Sequence, residues 1–147
     1  MGKNGTAGNV RKEKLLVRPA QIERWARRFE MDLFTGRTRQ EVAYTFERWR
    51  GTRHLRTVIT MDDVRHKKPH PEGLRKILRR RDATTAVYVG DNVDDALAAR
   101  AAGVAFLGIV APAAFEAEKR RRRFRELGAL GVLPGIGAIE EWLRRRR

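Results

Sequence analysis

The sequence predicts an α/β fold, a parallel sheet covered by helices on both faces. Short apolar runs of strand length recur at residues 31–34, 57–60, 86–89 and 104–110, as expected for strands buried in a sheet. Amphipathic segments at 38–50, 71–81 and 92–102 separate them. This β-α-β-α alternation is the pattern of parallel strands joined by helical crossovers. Hydroxyl, basic and acidic residues gather just beyond the strands, where open α/β sheets place their ligands.

In chain order, Pro19 suits the first position of a helix, and Ile22, Trp25, Ala26 and Phe29 follow at nearly helical spacing. The strand at 31–34 runs into Thr35-Gly36-Arg37. After 57–60 come Asp62 and Asp63, then the segment KKPHP at 67–71. The third strand ends in GDNVDDALAARAAG at 90–103, whose Ala98, Ala99, Ala101 and Ala102 permit close helix-to-sheet packing and whose Gly103 stops the helix. The segment AIEEWL at 138–143 reads as a last helix, with the cations at 144–147 complementing its dipole.

The 147 residues fit one domain of ordinary size. The absence of cysteine excludes disulfides and thiolate metal sites. No apolar run approaches the roughly 20 residues of a membrane helix, and the basic start MGKNGTAGNVRKEK lacks the apolar stretch of a secretory signal. A cytoplasmic protein without membrane contact is expected. Lys and Arg number 33 against 18 Asp and Glu, a formal charge of +15 that attracts polyanions. The blocks KRRRRFR at 119–125 and RRRR at 144–147 are not interleaved with aromatics, and no helix-turn-helix or zinc-finger signature accompanies them. They read as solvated helix faces capable of nonspecific polyanion binding. A noncatalytic polyanion- or nucleic-acid-binding protein is the competing functional class.

The chemistry concentrates at the strand ends. Asp91, Asp94 and Asp95 fall within five residues at the tip of an apolar strand, and carboxylates there need a compensating cation or donor. Helix capping accounts for one of them. Asp91 and Asp95 are hard oxygen ligands suited to Mg²⁺. Gly36, the N–H groups opening the helix after it and the Thr35 hydroxyl suit a phosphate. Lys68 suits the charge of a phosphoryl group in transfer. Together these groups describe a phosphoryl-transfer site. Arg37 and Arg39 are candidates for a substrate anion. His54, His66 and His70 share no metal-ligand spacing and are expected to be solvated loop residues without a role.

Thr35-Gly36-Arg37, Lys68-Pro69-His70-Pro71 and the run from Gly90-Asp91 to Asp95 resemble, in order, motifs two, three and four of the haloacid dehalogenase superfamily. The resemblance extends from about Glu13 to the C-terminus and is closest to the phosphoglycolate-phosphatase-like branch of subfamily IA. It implies a Rossmann-like core, a Mg²⁺ cofactor and hydrolysis of a small phosphorylated metabolite, a phosphate monoester, through an aspartyl-phosphate. Thr35 would hydrogen-bond the phosphoryl group, Lys68 would steady nucleophile and phosphate, and Asp91 with Asp95 would hold the magnesium. A receiver domain uses similar groups in another order, acidic residues first and Lys-Pro last, and is excluded because Lys68 precedes Asp91.

The family's nucleophile, the first Asp of an Asp-x-Asp motif, has no counterpart before Thr35. In MDLFTG, at 31–36, Asp32 lies two residues inside the strand end, and making it the nucleophile would leave no strand between Thr60 and Lys68. The expectation is therefore a core without its first strand and without most of its cap. Residues 1–18 would be a cap or linker remnant and 19–147 an incomplete core. Such a chain would be inactive alone, with an exposed sheet edge that invites self-association.

Overall fold

The computed structural model describes residues 17–49 and 51–145, which belong to two units, 1–62 and 63–147. The expected remnant at 1–18 thus lies almost wholly outside the described residues. The architecture is the α/β arrangement of parallel strands and helices that the alternation predicts.

In the first unit, Pro19 occupies the start of α1 (Pro19–Ala26), where its missing N–H costs nothing, and Arg18 before it is extended. Ile22, Trp25 and Ala26 are half-buried. Phe29 leaves the predicted apolar stripe and is 40% exposed. The helix has ended by then, and the Arg28 N–H turns back to the Trp25 carbonyl at 2.9 Å in a tighter three-residue step. A parallel β-α-β unit follows, made of β1 (Met31–Phe34), α2 (Arg39–Trp49) and β2 (Leu55–Ile59). Leu33 pairs with Val58 and Phe34 with Ile59, and the Thr35 N–H extends the ladder to the Ile59 carbonyl at 3.0 Å. The second strand was expected at 57–60. It begins earlier and stops at Ile59, because the fully buried Thr60 turns the chain, its hydroxyl accepting from the Asp62 N–H.

The second unit holds α3 (Glu72–Leu78), β3 (Val87–Gly90), α4 (Val93–Ala102), β4 (Ala105–Ile109), α5 (Ala117–Glu126), β5 (Gly131–Leu133) and α6 (Ile139–Arg144). Its strands form one parallel sheet in the order β3-β4-β5. Ala98 and Ala99 are fully buried where α4 packs on β3 and β4, and Gly103, at φ 72°, ends that helix in the left-handed region. Helix α5 is almost wholly charged, yet Phe124 is completely buried and meets the Phe106 ring edge-on at 5.3 Å. One aromatic side chain therefore anchors a helix whose other faces suit water.

The loop before α3 is organised by Glu72. Its carboxylate accepts the backbone N–H groups of Arg65 at 3.1 Å and His66 at 3.0 Å, and Lys76 approaches it at 3.0 Å. Lys76, those two amides and the His66 ring hold the Glu72 carboxyl at about 2, well below its usual 4.5. Lys76 also donates to the Asp63 carbonyl.

Two outcomes follow. Phe124→Ala removes the buried anchor of α5 and should cost roughly 3–5 kcal/mol of stability, measured by urea denaturation. For Glu72 the folded pKa is depressed, so its contribution is present above its unfolded pKa and is lost as pH falls toward its folded one. The stability gap between wild type and Glu72→Gln should therefore narrow steadily from about pH 5 to about pH 3. A gap that stays constant over that interval would show that the carboxylate network does not pin the loop.

Candidate phosphate and metal site

Thr35, Gly36 and Arg37 stand at the carboxyl end of β1 in the first unit. The Thr35 hydroxyl accepts the Arg37 N–H at 3.2 Å, closing a tight turn, and keeps its own proton to donate. Thr38 caps α2 through a reciprocal box: the Glu41 carboxylate accepts the Thr38 N–H at 2.8 Å and the Thr38 hydroxyl at 2.9 Å, while that hydroxyl accepts the Glu41 N–H at 3.2 Å. Asp62 takes the Arg39 N–H at 2.7 Å. The helix-opening amides expected to hold a phosphate are thus engaged by the protein's own carboxylates at Thr38 and Arg39 and by a hydroxyl at Glu41. Gly36 is exposed, with open space where a side chain would stand. Arg37 reaches the Thr45 hydroxyl at 3.3 Å.

In the second unit, Lys68 and Asp95 meet. Lys68 Nζ lies 2.6 Å from Asp95 Oδ1, with the side chains only 19% and 6% exposed. Asp95 is on the first turn of α4 and completes a capping box with Asn92, its Oδ2 accepting the Asn92 N–H at 3.1 Å while the Asn92 side chain accepts the Asp94 N–H at 3.2 Å. The Tyr88 hydroxyl donates to Asp95 Oδ1 at 2.9 Å and accepts from Lys68 at 3.3 Å. Burial first, and the Asp95 charge second, push the Tyr88 phenol far above its usual range, so it stays protonated as a donor. Gly90 makes room for this cluster: a Cβ there would stand 2.6 Å from the Asp95 Cβ.

The acidic run therefore divides. Asp95 is buried with both oxygens hydrogen-bonded, whereas Asp91 and Asp94 are exposed at the strand tip. Of the predicted pair, Asp91 is the carboxylate turned to solvent where a cation can reach it. Asp95 serves Lys68 in this arrangement. Tyr88 was not among the predicted site residues. Its signal was present in the pattern, since a strand residue two positions before Gly90 faces the same side of the sheet. Asp32 lies inside β1, opposite Thr57.

A family model of haloacid dehalogenase-like hydrolases matches residues 23–109, more than half of the chain. A pyrophosphatase, PpaX, of Bacillus velezensis is 46% identical over 55 residues, which cover 36% of this chain and 26% of that relative. Among solved structures, a HAD-superfamily hydrolase of subfamily IA, variant 1, from Geobacter sulfurreducens is 25% identical with a TM-score of 0.65, covering 83% of this chain and 52% of that one. The HAD hydrolase YfnB of Bacillus subtilis, bound to magnesium, shares the fold at a TM-score of 0.67 with 11% identity, covering 84% of this chain and 52% of its own. The chain thus spans about a quarter of the curated relative's length and about half of these solved chains. With three motifs in family order, strands and helices to match and the family's own model covering most of the core, the chain belongs to the haloacid dehalogenase-like hydrolases.

Proposed function

We propose that this chain carries the phosphate- and magnesium-handling groups of a cytoplasmic haloacid dehalogenase-type phosphatase acting on a small phosphorylated metabolite, and that alone it does not turn over. The domain reading goes with it: residues 19–147 form an incomplete core and residues 1–18 a cap or linker remnant. The buried contact between Lys68 and Asp95 carries the proposal. Fixing a lysine in a place of low exposure costs side-chain entropy and desolvation. A cation so held, at the carboxyl end of a parallel sheet, suits the charge that accumulates on a transferring phosphoryl group.

The roles follow the groups' chemistry. The Thr35 hydroxyl donates to a phosphoryl oxygen, with Gly36 letting the phosphate approach the backbone closely. Lys68 balances the charge of nucleophile and phosphate. Asp91, with Asp95 beside it, is the carboxylate donor for Mg²⁺, a hard cation that takes one or two protein carboxylates and keeps several waters. Magnesium, when bound, supplies charge neutralisation at the phosphoryl oxygens. The magnesium in the YfnB structure supports that assignment. By its name the PpaX relative acts on pyrophosphate, which adds that anhydride to the substrate candidates. No two aspartates in the 147 residues are separated by a single intervening residue, so the chain itself offers no Asp-x-Asp nucleophile.

The polyanion-binding reading gains less. On α5 several of the basic side chains pair with glutamates: Lys119 with Glu116 at 2.9 Å, Arg121 with Glu118 at 3.1 Å and Arg123 with Glu126 at 3.2 Å. Among the described residues no helix is long and apolar enough to cross a membrane.

Magnesium should raise the melting temperature by mass action, and Asp91→Asn should remove most of that increment. An equal shift in wild type and variant sinks the metal assignment. The purified chain with Mg²⁺ should hydrolyse a generic aryl phosphate no faster than its Lys68→Ala variant. A chain extended at its N-terminus by an apolar strand ending in Asp-x-Asp should gain turnover that requires both Lys68 and Asp91. Rapid hydrolysis by the 147-residue chain, abolished by Asp32→Asn, would instead make Asp32 the nucleophile.

A further inference from the structure

The loop that carries Lys68 also gathers two of the chain's three histidines and one carboxylate. His66, His70 and Glu72 each offer a ligand atom, and the three atoms lie within 4.8 Å of one another. His66 Nδ1 is 3.2 Å from Glu72 Oε2. His70 Nδ1 accepts the Glu72 N–H at 3.2 Å, and the two imidazole rings stand 4.6 Å apart. The expectation that these histidines are solvated holds, for both are exposed. Contrary to the expectation that these histidines share no metal-ligand spacing, His66 and His70 stand four residues apart, as zinc ligands do, and a turn closed by the His70 N–H on the Lys67 carbonyl at 3.0 Å brings them together with Glu72.

We infer that His66, His70 and Glu72 form a binding site for a divalent transition-metal ion of the zinc, cobalt or nickel class, separate from the magnesium carboxylates. Two imidazole nitrogens and a carboxylate oxygen are the donors such ions prefer, and magnesium does not. Ligands bound at about 2.0–2.1 Å to one tetrahedral ion sit roughly 3.3 Å apart, which the His66–Glu72 separation already matches. Lys76 pairs with Glu72 Oε1, while Oε2, which faces the His66 ring, also accepts the backbone N–H groups of Arg65 and His66. At His66 the ion replaces the hydrogen bond to Glu72, and at His70 it competes with the Glu72 N–H for the Nδ1 lone pair. His66, with its side chain 65% exposed, gives it access. Arg65, Lys67 and Lys76 nearby oppose a cation, so the affinity is moderate. Because His66 and His70 flank Lys68 by two residues on either side, an occupied site staples the Lys68 loop. The site stands whether or not the phosphatase reading does.

The test titrates the full, chelator-treated chain with Co²⁺, read by visible d–d absorption, and with Zn²⁺ by calorimetry. One saturable equivalent is expected, unaffected by excess Mg²⁺. His66→Ala and His70→Ala should each weaken binding by roughly tenfold or more, since even outer-shell losses cost that much. His54→Ala and Asp91→Asn should leave it unchanged. Circular dichroism would check that the exposed-residue variants keep their fold. Absence of saturable binding in the wild type, equal binding by the His66→Ala/His70→Ala double variant, or loss confined to Asp91→Asn would overturn the inference.

Discussion

The second unit's chemistry depends on the contact between Lys68 and Asp95. A buried carboxylate and a mostly buried ammonium are each costly alone, and their attraction offsets that cost only when the remaining valences are satisfied. Here they are. Tyr88 serves one Asp95 oxygen from β3, the Asn92 amide serves the other from the opening of α4, and Lys68 arrives from the preceding loop. Strand, helix and loop are thereby tied through one carboxylate. The hydrogen bond that caps α4 and the ion pair that places Lys68 are two uses of the same group, so helix initiation and site geometry cannot be varied independently.

The same economy appears at the opening of α2. Glu41 and Asp62 supply negative charge to the amides there, as a bound anion would in many α/β proteins. A phosphate at Thr35 would then be recognised mainly by a hydroxyl and by side-chain cations. Such recognition depends on oriented side chains more than on the helix dipole.

Most of the architecture was legible in the residues, and the reasons are local. Strand β1 falls where the apolar run places it, and α4 begins and ends where Asn92 and Gly103 dictate. The boundary of β2 was less readable, because Thr60 suits a strand by composition but closes a turn through its hydroxyl. The candidate site was legible as a set of residue types and less so as a set of roles. Asp91 and Asp95, the paired candidate ligands, look equivalent in a string of letters. Only packing distinguishes Asp95, buried under Gly90 and taken by Lys68, from Asp91 at the surface. The His66–His70–Glu72 cluster was half legible: the histidines stand at a spacing that zinc ligands use, but Glu72 joins them through a turn, whose backbone path has no period to read.

The close approach at Gly90 also shapes how this protein can vary. Even a methyl group at position 90 would collide with the Asp95 side chain. Relief by shortening residue 95 would strip Lys68 and Tyr88 of their shared partner. Single substitutions at either position are therefore blocked from both sides, and an acceptable change must alter several positions at once. The two positions are coupled by packing. A sequence drifting through single steps would find this corner of the molecule nearly immobile while the arginine-rich face of α5 remains open to replacement.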